Sequence, residues 1–325
     1  MRSLLQFVKD WMLPLAIVGG IILCLLLRFV PFLNAAEPAF SSFARAAQPV
    51  TVALMLFLQF NRISPHDLRI HRWHIRLLLL QALLFAGLSL LAANMPHGET
   101  RILVECATLC FICPTAAAAG VITDKLGGNL ATSVSYVVLA NGLAAVMIPL
   151  LVPVVNPTEG MSFGRSFLGI CNRVFPLLIL PLLAAWFIRY TMRRVQVFLM
   201  RYTHWAFYMW GIGLTLALYL TTRALLTSGI SWGGALLIAL VALGCTLLQF
   251  FLGRKAGKPY GRSESITAGQ AMGQKNTGFL IWLGYSFMTP VTSVAGGLYS
   301  IFQNLFNSWE LYRQRKDQDP AKNEK

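Results

Sequence analysis

The chain has 325 residues, of which 56% are hydrophobic and 12% charged, and its mean hydropathy is +0.63. Soluble domains carry roughly twice that share of charge, so the composition predicts an integral membrane protein. A net charge of +15 raises nucleic acid as a partner, but the basic residues fall in short clusters between apolar runs and no nucleic-acid-binding module accompanies them.

Runs of about 20 predominantly apolar residues mark candidate membrane spans. Ten occur, near 13–33, 44–60, 75–94, 102–122, 130–154, 167–188, 202–226, 232–252, 266–287 and 291–311. The first follows Arg2 and Lys9 but is too long for a signal-peptide core, so it counts as a span. All six cysteines lie in apolar segments, which excludes a secreted disulfide framework. Cys106, Cys110 and Cys113 would share a helix face, yet no metal site is expected from them.

Orientation follows from lysine and arginine in the short loops. Arg62, Arg69, Arg72 and Arg76 follow the second span, Arg189, Arg193, Arg194 and Arg201 the sixth, and Arg254, Lys255, Lys258 and Arg262 the eighth. With ten spans these clusters fall on one side together with the basic C-terminal tail. The reading is a multi-pass protein of the inner cell membrane with both termini cytoplasmic. The tail beyond Leu311 is charged and contains proline, so it is expected to be disordered.

The stretch Met272-Gly-Gln-Lys-Asn-Thr-Gly278 interrupts the ninth run with a lysine. A central membrane lysine costs roughly 2.5 to 3.5 kcal/mol on insertion scales, so such residues usually face the bundle interior and mark a substrate or ion path. Cys113-Pro114-Thr115, followed by small residues to Gly120, interrupts the fourth run. Paired interrupted helices in corresponding positions point to a binding site near the bilayer midplane. Five spans per half give the halves opposite orientations, and Thr132-Ser133-Val134 recurs as Thr292-Ser293-Val294. The fold expected is all-α, with ten transmembrane helices in two inverted five-helix repeats and broken crossing helices four and nine.

Several motifs in order resemble the bile acid:sodium symporter family. They are Ser64-Pro65-His66-Asp67 after the second span, Gln81 in the third, Cys113-Pro114, and Gly128-Asn129-Leu130-Ala131-Thr132-Ser133-Val134. Gly273 with Asn276-Thr277-Gly278, and Gly297-Leu298-Tyr299-Ser300-Ile301-Phe302-Gln303-Asn304, complete the set. The resemblance implies a single membrane unit over 1–312 and a tail over 313–325. In that unit a panel (near 13–60 and 167–226) rocks against a core (near 75–154 and 232–311). It also implies two sodium sites behind the crossing and an organic-anion site at the domain interface. Thr115, Lys275, Asn276, Gln303 and Asn304 form the expected substrate set. Gln81, Glu105, Ser133, Gln274 and Lys275 form the expected ion-coupling set, with sodium at Gln81 and Ser133. No other cofactor or metal is expected.

The sequence departs from the family pattern where it matters. Ala119 and Gly120 stand where the family has a Ser-Asn pair, Val137 where it has threonine, Ala271 where it has a glutamate serving both sodium sites, and Lys275 where it has glutamine. Sodium prefers oxygen ligands, so these losses predict that coupling to sodium is weakened or replaced by the Lys275 ammonium. Proton coupling through the same lysine is the alternative. Three roles are open to Glu105: partner of Lys275, proton carrier, or an acid near the outer interface beside Arg101. Arg28 and Arg173 are expected to snorkel to the outer surface. Trp210, Trp282 or Tyr285 could line the substrate cavity.

Secondary transport of an organic anion, bile-acid-like or another carboxylate, is therefore the function expected. An enzyme is not, because neither HExxH nor GxSxG occurs, and the glycines at 273–278 lack the GK[ST] ending of a phosphate loop. A membrane sensor or scaffold should carry a soluble output domain, and none is visible. His66, His71, His74 and Asp67 read as a solvated loop face.

Overall fold

A computed structural model describes residues 11–116, 118–202 and 205–318. The described chain is a bundle of helices, α1 (Met12–Phe29), α2 (Pro31–Asn34), α3 (Glu37–Phe60), α4 (Arg72–Ala93), α5 (Glu99–Ile112), α6 (Ala119–Lys125), α7 (Leu130–Val155), α8 (Phe163–Leu178) and α9 (Leu180–Thr191). There follow α10 (Arg193–Arg201), α11 (Trp205–Thr227), α12 (Trp232–Gly257), α13 (Arg262–Gly273), α14 (Thr277–Phe287) and α15 (Ser293–Gln318). Each of the ten apolar runs corresponds to one helix or to one broken pair.

The protein is a multi-pass membrane protein. Among the described residues five helices are long and apolar enough to cross a bilayer, and six if α8 and α9, bent by 42° at their junction, form one span. Pro176 and Pro181 flank that bend, where each ring removes a backbone donor. The helix α10 carries Arg193, Arg194 and Arg201 along with the exposed apolar residues Val195, Val197 and Phe198. This two-faced pattern suits a helix lying in the membrane interface.

Two broken pairs run the length of the bundle in opposite directions. The pair α5/α6 starts at Glu99 and Ile102, which line a cavity at one end, and finishes at Leu126, which lines a cavity at the other. The pair α13/α14 starts beside that second cavity at Gly261 and Arg262 and finishes beside the first at Tyr285 and Thr289. The arginine-rich turns share the end of the second cavity.

The main core cluster lies between these pairs and α7, with Phe85, Leu109, Ile112, Val137, Phe279 and Leu283 completely or almost completely buried. Against it α12 packs closely on α13. A Cβ at Gly253 would stand 2.8 Å from the Ala268 carbonyl carbon, and one at Gly257 would stand 2.8 Å from the Glu264 carbonyl carbon. Gly253 and Gly257 are four residues apart, the small-xxx-small spacing that lets membrane helices meet backbone to backbone.

The last helix runs further than expected. Residues 312–318, expected to be disordered, continue α15, with Arg313 stacked 5.8 Å from the centre of the Trp309 ring. Residues 319–325 lie outside the described residues.

Candidate functional site: the crossing of two broken helices

The helix α5 ends at Ile112 because Pro114 has no N–H to continue it, and α13 ends at Gly273, after which Gln274 is extended. The two extended breaks pair as a short antiparallel bridge between Thr115 and Lys275. Ala116 N–H donates to the Gln274 carbonyl at 2.9 Å and Asn276 N–H donates to the Pro114 carbonyl at 2.9 Å.

Helix breaks in the membrane are tolerated where the freed backbone groups find partners. The structure supplies them with side chains from three surrounding helices and from the breaks themselves. Gln249 Nε2 donates to the Cys110 carbonyl at 3.2 Å and Gln81 Nε2 to the Ile112 carbonyl at 3.3 Å. Thr115 Oγ1 donates to the Ala271 carbonyl at 2.5 Å and Tyr299 Oη to the Gly273 carbonyl at 2.7 Å. Gln303 grips the backbone of Lys275 twice, its Oε1 accepting from the N–H at 2.8 Å and its Nε2 donating to the carbonyl at 3.2 Å. Asn276 Oδ1 caps α14 by accepting from Phe279 N–H at 3.2 Å.

Lys275 is the one lysine of this crossing. Its side chain is completely buried, its Nζ finds no hydrogen-bond partner among the described residues, and the thiols of Cys110, Cys113 and Cys245 lie around it. Gln249 Oε1 and Gln274 Oε1, also buried, have no donor either. From α3, Gln48 Nε2 reaches the Gly278 carbonyl at 3.3 Å while its own Oε1 stays without a partner. A desolvated cation and several free acceptors are thus held in a scaffold whose backbone is otherwise satisfied. Such an arrangement can respond strongly to an approaching charge, because low dielectric magnifies Coulomb terms.

Of the residues expected to act, Gln81, Thr115, Gln274, Lys275, Asn276 and Gln303 meet at the crossing. Ser133 does not: its hydroxyl pairs with Thr123 Oγ1 of α6 at 3.3 Å. Asn304, half-buried, spends its Nδ2 on the Ser300 carbonyl of its own helix at 2.7 Å. Glu105 is no partner of Lys275. Its carboxylate is buried and paired with Arg101 at 3.0 Å, and it also accepts from Thr289 N–H at 3.2 Å. Arg101 in turn donates to the Val155 carbonyl at 2.6 Å, so this pair ties the start of α5 to the end of α7 and to the turn before α15.

A cavity of ≈ 560 Å³ opens between α3, α11 and the ends of α5 and α14, away from the arginine-rich turns. Arg45, Arg223 and Tyr285 line it. Arg223 is paired with Glu37 at 2.5 Å, while among the described ion pairs Arg45 has no carboxylate. Of the three aromatic residues considered from sequence, Tyr285 faces this cavity, Trp282 is packed in the core, and Trp210 packs with Ala16 and Leu214 in the interface of α1 and α11. Arg173 lies 5.8 Å from the centre of the Phe287 ring, near the same end.

Sequence reasoning missed Glu264. It is buried in the first turn of α13, where its carboxylate accepts from Trp73 Nε1 at 2.9 Å, Asn129 Nδ2 at 3.0 Å and Thr132 Oγ1 at 3.2 Å. An acidic residue opening a helix that is otherwise poor in charge was the available signal. His74 corrects the solvated-loop reading: it is fully buried, stacked on Trp73 and bonded through Nε2 to the Thr132 carbonyl at 2.9 Å.

Residues 78–228 match the family model described as the Sodium Bile acid symporter family. Over that stretch, just under half of its length, the chain is similar to this family. No curated protein matches the chain. The matched region holds the first broken pair and ends before the second, so one side of the crossing lies within the match and the other beyond it.

Sodium, the ion in the family's description, asks for free oxygen donors. The positions that the family resemblance assigns to sodium do not offer them. Gln81 Oε1 accepts from Tyr136 Oη at 3.2 Å and its Nε2 is spent on Ile112, while Ala119, Val137 and Ala271, all completely buried, contribute no side-chain oxygen. A buried ammonium already stands in the crossing. The free oxygens of the crossing are instead those of Gln249 and Gln274.

Proposed function

We propose that the protein is a secondary carrier of an organic anion that works by alternating access, with the Lys275 ammonium in place of bound sodium. The observation that carries the reading is a completely buried, unpartnered ammonium at the antiparallel bridge between two broken helices. A buried charge left unpaired costs several kcal/mol. Retaining one in a scaffold that satisfies its backbone so fully suits a functional charge rather than a structural one.

Ten spans in two inverted five-helix repeats, with the basic turns and both termini cytoplasmic, complete the proposal. The opposite runs of α5/α6 and α13/α14 support it. The cavity with Arg45 and Tyr285 supports an amphipathic carboxylate as substrate, because a cationic wall beside an aromatic one suits a charged head on an apolar body.

Uptake of labelled carboxylates into proteoliposomes, with sodium replaced by potassium, tests this directly. Uptake that persists in potassium is expected; strict dependence on sodium overturns the substitution. Proton coupling is the second reading. A lysine without a carboxylate partner can lose its proton without stranding a countercharge, and stimulation of the same uptake by an imposed pH gradient would select this reading.

A further inference from the structure

The opposite end of the bundle carries a feature that the proposed carrier mechanism does not call on. Where α12 gives way to α13, and beside the last turns of α15, a cavity of ≈ 700 Å³ has a basic rim and an apolar floor. Lys258, Arg262 and Arg313 stand on the rim, all exposed, and among the described ion pairs none of them meets a carboxylate. Arg254 adds a fourth cation, already tied to Glu310. The walls below are Leu247, Phe251 and Trp309, between 48% and 62% exposed.

We propose that this cavity binds the headgroup of an anionic phospholipid, with its acyl chains lying along Leu247 and Phe251. Four cations against the single carboxylate of Glu310 leave the rim strongly positive, which calls for a phosphate-bearing group. Basic pockets between membrane helices, on the side that carries the positive loops, take such headgroups. Trp309 is an amphipathic ring of the kind that settles at headgroup level, and Arg313 stacks against it. The first turn of α13 opens on the same space through Gly261 and Arg262 and has no side-chain cap, so its N–H groups add donors of the same sign. A free phosphate would use the rim but leave the large apolar wall bare, whereas a phospholipid covers both.

The test uses the full chain in neutral detergent and measures thermal unfolding and lipid retention by native mass spectrometry. Phosphatidylglycerol is expected to raise the unfolding temperature and to be retained, while phosphatidylcholine and inorganic phosphate at equal concentration are not. The triple variant Lys258→Gln, Arg262→Gln, Arg313→Gln is expected to bind phosphatidylglycerol about tenfold more weakly or worse. A control of equal charge change at another basic turn, Arg62→Gln, Arg69→Gln, Arg76→Gln, keeps the response. Equal loss in both triples overturns the site in favour of diffuse surface charge, and an equal response to phosphate overturns the lipid in favour of a small ion. Absence of any response to phosphatidylglycerol overturns both. Lys258→Gln and Arg313→Gln alone each weaken retention in part, which keeps the assignment testable if the triple variant does not fold.

Discussion

Replacing Gln303 with leucine tests how the crossing is held together. The side chain is 5% exposed and its amide satisfies both backbone groups of Lys275, at 2.8 and 3.2 Å. Leucine leaves the buried Lys275 N–H without a partner, at about 1–3 kcal/mol, and removes one of the two donors to its carbonyl, which keeps the Thr277 N–H at 2.9 Å. Its added apolar burial returns roughly 1.5–3 kcal/mol at most, and incomplete packing reduces that return. The expected net loss is about 1–3 kcal/mol, measured as unfolding in mixed micelles. Asn304→Leu, one residue further along α15, is the control. That amide is half-buried and bonds within its own helix to Ser300, so its loss is expected to stay near 1 kcal/mol or below. Gln303→Glu keeps the acceptor for the Lys275 N–H and is expected to fall between the two. If Gln303→Leu were no more destabilising than Asn304→Leu, the account of the crossing as a backbone network closed by side chains would be wrong.

Three further expectations follow from the same geometry. Lys275→Met removes a buried unpaired charge and keeps the apolar stem, so it should raise unfolding stability by roughly 1–4 kcal/mol while uptake in proteoliposomes falls at least about tenfold; lower stability with normal uptake would refute the functional role. Glu105→Gln strands Arg101, and the loss should be about 3–5 kcal/mol with the pH dependence of uptake unchanged, whereas a shifted pH profile would restore Glu105 as a proton carrier. Gly253→Ala and Gly257→Ala each force α12 off α13 and should cost about 1–3 kcal/mol or more, read in the same unfolding assay, while Gly244→Ala, which meets nothing within 4 Å, should stay within about 0.5 kcal/mol.

Much of this arrangement is legible in the chain because membrane physics limits the choices. Long apolar runs become helices since nothing else satisfies their backbone in lipid. Pro114 and the polar stretch from Gly273 to Gly278 announce the breaks, because a missing donor and glycine flexibility both act locally. The partners of the breaks were not legible. Gln81, Gln249, Tyr299 and Gln303 sit on three different helices, and which carbonyl each meets depends on how those helices pack. Glu105 illustrates the same limit. The i,i+4 spacing from Arg101 is visible in sequence, while the Val155 carbonyl and the Thr289 N–H that complete its environment come from residues far along the chain. The solvated-loop reading of His74 fails because Tyr136 and the Thr132 carbonyl, which enclose it together with Trp73, come from far along the chain.

The distribution of directional bonds bears on which parts could move. At the crossing, α4, α12, α13 and α15 are tied to the breaks by side-chain hydrogen bonds that must all be kept, since each one lost leaves a buried polar group without a partner. Toward α3 the contact has a different character. Gln48 offers one bond of 3.3 Å, Tyr285 Oη donates at 3.2 Å to the Arg45 carbonyl, and between them the surface is apolar, with Val52 and Leu56 in the same core cluster as Phe279 and Trp282. Apolar packing has no preferred direction, so one such surface can slide over another and exchange contacts at little net cost, while a hydrogen-bonded crossing can shift only as a unit. The proposed carrier, in which a panel rocks against a core, would require such a hydrogen-bonded side beside a smoother one. In that proposal the buried ammonium belongs to the hydrogen-bonded side.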